Sequence, residues 1–182
     1  EKRLEGEEEL QLKFDAWDRL GKIRNSISKD EFNKKAGWMW RDPTIWSYAV
    51  LKDDEGNALK LFPFQDKIIN DRNRFVHVHA ANQMGKSWAA AVIKGLHHLF
   101  FVNNASVMLI SSKEDQSIKI LDEMKWMIRR AKVNFGNLVG DVQNRREFQI
   151  EINKGFVSVT RAFPPTPAIL GYPATLVVMD ED

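Results

Sequence analysis

The chain has 182 residues, 43% of them hydrophobic, enough for one well-buried domain and short for two. Its 27 basic and 25 acidic residues nearly cancel to a net charge of +2, which excludes a histone-like tail or an acidic disordered chain, so any nucleic-acid contact must come from local patches. The absence of cysteine excludes disulfide scaffolds, thiolate zinc sites and thiol nucleophiles. No apolar run approaches the roughly 18 residues that a membrane span needs. The acidic stretch Glu1 to Leu10 is unlike a signal peptide, so the chain reads as soluble and intracellular.

From residue 4 to 35, apolar side chains at Leu10, Phe14, Trp17, Leu20, Ile23 and Ile27 follow spacings of three and four, which predicts amphipathic helix with a break near Gly21. Trp38, Trp40 and Trp46 fall with Tyr48 around Asp42-Pro43 and read as an aromatic cluster packing the N-terminal helices onto the main domain. Base stacking is the sharper alternative. Asp53-Asp54-Glu55-Gly56-Asn57 signals a turn, and a boundary is placed there: a helical and aromatic extension over 1–55, and a core over 56–182.

Beyond the turn, short apolar runs alternate with longer helical segments, predicting an α/β layer fold with a mostly parallel sheet. Phe75 to His79 reads as a strand, Lys86 to Phe101 as an alanine-rich helix and Val107 to Ile110 as the next strand. Ser112-Lys113-Glu114-Asp115 has a capping-box pattern that opens a helix through about Val133, where Arg129, Arg130 and Lys132 answer the helix dipole. Phe148 to Ile152 and Phe156 to Val159 alternate around Asn153-Lys154-Gly155, predicting a hairpin. A proline-rich loop from Phe163 to Pro173 leads to Leu176 to Met179, whose continuous apolar character predicts a central strand covered on both faces.

The strongest chemical signal is Ala80-Ala81-Asn82-Gln83-Met84-Gly85-Lys86-Ser87, between a predicted strand and a predicted helix. It reads as a P-loop whose first glycine is alanine. Backbone N–H groups of the loop and the helix N-terminus would cradle phosphates, Lys86 would neutralise the β- and γ-phosphates, Ser87 would ligate Mg²⁺ and Gly85 would permit close backbone approach. Asp180-Glu181 after the apolar run matches a Walker B strand, with Asp180 helping to hold Mg²⁺ and Glu181 acting as base or orienter for the attacking water. Gln65, in Phe62-Pro63-Phe64-Gln65, has an amide suited to the edge of adenine, or else is a loop residue touching water. His77, His79, His97 and His98 lack acidic or cysteine partners at ligand spacing and read as packing or capping groups. Arg145-Arg146 reads as a solvated surface, with contact to phosphates or to a neighbouring subunit as the alternative.

Taken together, these segments resemble the N-terminal ATPase of tailed-virus large terminase subunits, the motors that pump DNA into preformed capsids. The resemblance covers roughly residues 59 to 182. It rests on the glutamine-containing approach Phe62 to Gln65, on Asn82 to Ser87 with Gln83 where helicases usually carry glycine, and on Gly171 in the loop before the Walker B strand. It implies a three-layer α/β/α P-loop NTPase of the ASCE type with a RecA-like core, ATP and Mg²⁺ as cofactors, and catalysis by Lys86 and Glu181. Ala81, Asn82, Gln83, Met84, Gly85, Lys86, Ser87 and Gln65 would bind nucleotide, with Ser87 and Asp180 on the metal. It further implies double-stranded DNA as the substrate that moves, a portal protein and a small terminase subunit as partners, a homo-oligomeric ring during packaging, no membrane, and the host cytoplasm as location.

The sequence departs from the family at two cationic positions, where Asn82 and Leu170 stand in place of arginines. Arg161, Arg145 or Arg146 would then have to supply the arginine finger, or hydrolysis would be slow. Family members continue past Walker B into a coupling strand and a nuclease domain, neither of which lies within these residues, so weak ATPase is expected of the isolated chain. A superfamily-2 helicase-like translocase and a nucleotide-binding assembly module without turnover remain as alternatives. Gln83 favours the terminase. A nuclease-type acidic triad after Asp182 would support it too, whereas a second RecA-like domain would support the helicase.

Overall fold

The computed structural model describes residues 2–81, 84–133, 135, 139–153 and 155–180. Its first helix, α1 (Lys2–Lys22), is followed by a short 3-10 turn at Arg24–Ser26 and by α2 (Lys29–Met39), so the break falls just after Gly21 as the periodicity predicts. Ser28 caps α2 by accepting from the Glu31 N–H at 3.1 Å.

The aromatic stretch continues into a helix that the sequence reading did not separate, α3 (Pro43–Val50). Asp42 caps it, accepting from the N–H groups of Thr44 and Ile45, and proline occupies the first turn, where a missing N–H does no harm. All eight residues of α3 are buried, because the helix lies between α1, α4 (Pro63–Asn70) and α5 (Lys94–Phe101). Trp46 meets His97, Phe100 and Phe101 at ring-centroid distances of 5.6, 5.5 and 6.5 Å. Trp17 and Trp40 pack at 5.8 Å. Those contacts are what the packing reading of the cluster expects, but Trp38 is exposed.

A half-buried polar knot ties α1 to α3 and α4. The Asp66 carboxylate accepts from Lys13 at 2.7 Å, from the Thr44 hydroxyl and from the Asn70 amide at 3.0 Å. Burial works to lower the Lys13 pKa, but the hydrogen bond to Asp66 and the charges of Asp42 and Asp66 outweigh it, leaving the ammonium above its ordinary range. The apolar core runs through Trp46, Val50 and Leu51 into Leu59, Leu61 and the sheet, so it is continuous across residue 55. The turn itself forms as expected. Asp53 accepts from the N–H groups of Glu55 and Asn57, and Gly56 takes a positive φ of 87°.

The sheet has five strands, β1 (Ser106–Ser111), β2 (Val139–Gln143), β3 (Glu147–Asn153), β4 (Phe156–Phe163) and β5 (Leu176–Asp180), in the spatial order β2-β3-β4-β1-β5. β1 pairs in parallel with β4 and β5, and β3 runs against both its neighbours, so the fold is α/β with a mixed sheet in which only β3 is reversed. The β3–β4 hairpin forms where alternation predicted it, with Gly155 at φ 95° in the turn. Val107 and Leu109, with Phe148, Ile150 and Ala162 on the neighbouring strands, form the face covered by α5 and α6 (Glu114–Arg129). On the other face the 164–175 connection brings Tyr172 against Phe163 at 4.9 Å and beneath the Arg161 guanidinium.

Three expectations need correction. Phe75 to His79 is not a strand: Phe75 is 83% exposed, and the segment pairs with nothing in the sheet. Alternation makes a segment fit for a strand but cannot supply the partner edge that makes it one. β5 is an edge strand rather than a central one, with Met179 on its open face 70% exposed. Last, α6 begins after Lys113 without a side-chain cap and stops at Arg129, and the cations beyond it do more than answer a dipole. Arg130 lies over the Trp126 ring at 3.9 Å and pairs with Asp54 at 3.2 Å, while Lys132 donates to the Tyr48 carbonyl at 2.7 Å. These contacts fasten α6 to the 53–57 turn and to α3. No helix among the described residues is long and apolar enough to cross a membrane.

Candidate functional site

The carboxyl ends of parallel strands are where open α/β sheets place their ligands, because helix N-termini and loops converge there. β1, β4 and β5 end together: Ile110 is in register with Phe163 and Met179, and Ser111 with Asp180. The Ala80–Ser87 loop arrives at this same end. Ser87 donates its hydroxyl hydrogen to the Asp180 carboxylate, although the two residues are far apart in the chain. Asp180 shares with Leu176 and Val178 the face toward the helices, as alternation along β5 requires.

The loop enters its helix through Gly85, whose φ is 75°. A Cβ built there would lie 2.8 Å from the amide nitrogen of Gln65, so the backbone conformation favours glycine and any side chain would also have to displace the Gln65 amide. Helical backbone starts at Lys86, runs through a π-helical segment at Trp88–Ile93 and continues as α5. Ala89 and Ala91 are buried in that segment, and Gly95 lies against Val107 of β1 and Met124 of α6. These small residues bring the helix close to the sheet. The Lys86 ammonium is folded back onto the loop, donating to the Ala80 carbonyl at 2.7 Å.

Gln65 is only 6% exposed and belongs to the first turn of α4, which removes the reading of it as a loop residue touching water. Its Oε1 accepts from the Phe62 N–H at 3.0 Å, one half of a capping box, and its amide nitrogen faces Gly85. The side chain braces the loop against α4. Lys94 adds a second brace, donating to the Asp71 carbonyl at 2.7 Å and the Ile68 carbonyl at 3.3 Å at the carboxyl end of α4. Burial lowers the Lys94 pKa, with the Asp71 charge acting in the opposite direction.

Of the residues singled out from the sequence, Gln65, Gly85, Lys86, Ser87 and Asp180 therefore converge at one end of the sheet. Ala81 and Met84 are exposed on the same loop. Asn82, Gln83, Glu181 and Asp182 lie outside the described residues. The three arginines considered as finger donors are all engaged within the chain. Arg145 pairs with Asp115 at 3.0 Å, Arg146 with Glu114, and Arg161 with Glu147 at 2.9 Å. His97 and His98 are anchors, the first bonded to the Trp40 carbonyl at 2.9 Å and the second to the Thr175 hydroxyl at 2.9 Å.

One residue at this end escaped the sequence reading. Ser111 ends β1 beside Asp180, and the available signal was its position, a hydroxyl terminating an apolar strand on the crest of an α/β sheet. A cavity of about 160 Å³ lined by Lys52, Asp53, Trp88, Glu123 and Trp126, among others, lies beside the 53–57 turn and includes none of the converging residues.

Ser87 and Asp180 are hard oxygen donors, and magnesium characteristically takes one or two such protein ligands together with phosphate oxygens and waters. The pair therefore fits that ion. Compared with known proteins, the chain matches no family model and no curated sequence.

Proposed function

We propose that the chain is the ATPase motor domain of a viral DNA-packaging terminase large subunit, which binds ATP with magnesium and couples hydrolysis to the movement of double-stranded DNA into procapsids. One observation carries the reading: the serine that follows the loop lysine bonds to the carboxylate ending an apolar parallel strand. That is the meeting of parts that magnesium-nucleotide hydrolysis needs, and neither segment alone would imply it.

The roles follow from chemistry. Loop N–H groups and the helix N-terminus receive the phosphates, and Lys86 exchanges the Ala80 carbonyl for a phosphate oxygen. Ser87 and Asp180 would hold the cation, which would offset the charge that grows on the leaving nucleoside diphosphate. Glu181 takes the proton of the attacking water. Gln65 braces Gly85 from α4, its amide held by the Phe62 N–H, and so shapes the loop that receives the phosphates. A neighbouring subunit in the ring supplies the arginine finger. Arg145 is the readiest donor, because its pair with Asp115 is exposed on both sides and such pairs hold weakly.

Thermal unfolding with and without ATP and Mg²⁺ tests the reading. At ligand concentrations near a hundredfold above Kd, binding stabilises by about 2.7 kcal/mol. For a domain of this size that corresponds to a rise of roughly 5–11 °C. Lys86→Ala should lose the rise, and equal shifts in parent and variant would reject the lysine's role. Glu181→Gln should keep the rise and lose turnover. Turnover that DNA stimulates supports the motor, whereas binding without turnover, with or without DNA, supports an assembly module.

A further inference from the structure

We infer that Ser111 is a further member of the cation site, its hydroxyl bonding a water in the shell of the divalent ion held by Ser87 and Asp180. The inference rests on the magnesium-nucleotide reading and adds a residue to the same site. Ser111 is 2% exposed, and its hydroxyl has no hydrogen-bond partner among the described residues. Buried hydroxyls are nearly always bonded, so an orphan asks for a missing partner.

Position says what that partner is. Ser111 is in register with Asp180 on the adjacent parallel strand, and neighbouring strands lie about 4.8 Å apart. Alternation from Val107 and Leu109 puts its side chain on the helix-facing side of the sheet, where Asp180 accepts from Ser87. Other serines buried in the sheet are satisfied. Ser106 donates to the Pro173 carbonyl at 2.7 Å, and Ser158 accepts from the Ala105 N–H at 3.1 Å. Thr160 is also orphaned, but it is in register with Val107, toward the far end of the strand and away from Asp180. Magnesium keeps several waters in protein sites, and groups that bond those waters tune affinity without touching the ion.

The test uses the full chain as parent, Ser111→Ala, Ser111→Thr and Thr160→Val. Two quantities are measured: the melting temperature in chelator without nucleotide, and Mn²⁺ affinity in the presence of ADP, from the free-ion electron paramagnetic resonance signal. Ser111→Ala should melt at or above the parent temperature in chelator, because an unsatisfied group is gone, yet bind Mn²⁺ about tenfold more weakly. Ser111→Thr should restore the affinity. Thr160→Val should raise the melting temperature and leave Mn²⁺ affinity at the parent value. A lower melting temperature for Ser111→Ala in chelator would show a structural hydroxyl and overturn the inference, as would parental Mn²⁺ affinity in that variant. If the parent itself shows no ADP-dependent Mn²⁺ binding, the nucleotide reading falls and takes Ser111 with it. Binding by the parent with no change in Ser111→Ala sinks the Ser111 assignment alone.

Discussion

Gly85→Ala probes the loop without touching any charged group. Two penalties add. The residue holds φ at 75°, and a left-handed conformation at a residue with a Cβ costs about 1–2 kcal/mol. The new methyl would also lie 2.8 Å from the Gln65 amide nitrogen. Gln65 is buried and tied through Oε1 to the Phe62 N–H, so turning its amide away breaks that bond, at about 1 kcal/mol. The sum is about 2–3 kcal/mol, or roughly 4–12 °C in Tm for a domain of this length. Gln65→Ala alone should cost about 1 kcal/mol through the lost cap. In the double variant the clash is absent, so the two effects should fall short of additivity by about 1 kcal/mol. Thermal or urea unfolding of the four proteins measures this cycle. Strict additivity would refute the contact between α4 and the loop, and a neutral Gly85→Ala would refute the conformational argument as well.

Trp46→Ala removes the largest fully buried side chain, which joins α3 to α5, and should cost about 3–5 kcal/mol, read from urea unfolding. A loss under about 1 kcal/mol would mean that α3 is not packed as described. For His97, burial lowers the pKa below the ordinary 6.5, while the bond to the Trp40 carbonyl and the charge of Asp42 pull the other way without reversing it. The unfolded chain then takes up the proton first as the pH falls, so stability should hold above about pH 7 and decline below about pH 6.5. His97→Gln keeps a donor for the carbonyl and should flatten that decline, leaving the part due to His98, whose pKa is lowered by burial and by Lys94. An unchanged slope in Tm against pH would show that His97 does not titrate differently on folding.

Where local physics suffices, this protein could be read from its residues alone. Gly155 between two alternating runs makes the β3–β4 hairpin, Asp53 and Gly56 make their turn, and the alanine-rich run of residues 86 to 101 makes a helix, because each depends on neighbours in the chain. The Gly-Lys-Ser and Asp-Glu motifs were likewise visible as chemistry, in the order a nucleotide site would need them. Tertiary structure alone decided the rest. Phe75 to His79 has the alternation of a strand but no edge to join, and β5 has the composition of a central strand but lies at the border of the sheet. Gln65 turned from a loop amide into a buried brace once α4 formed beneath Gly85. Ser111 acquired meaning only through register with Asp180. Backbone preference, capping and periodicity act over a few residues, whereas the pairing of strands, and the hydroxyl of Ser87 on the carboxylate of Asp180, depend on which distant surfaces exclude water together.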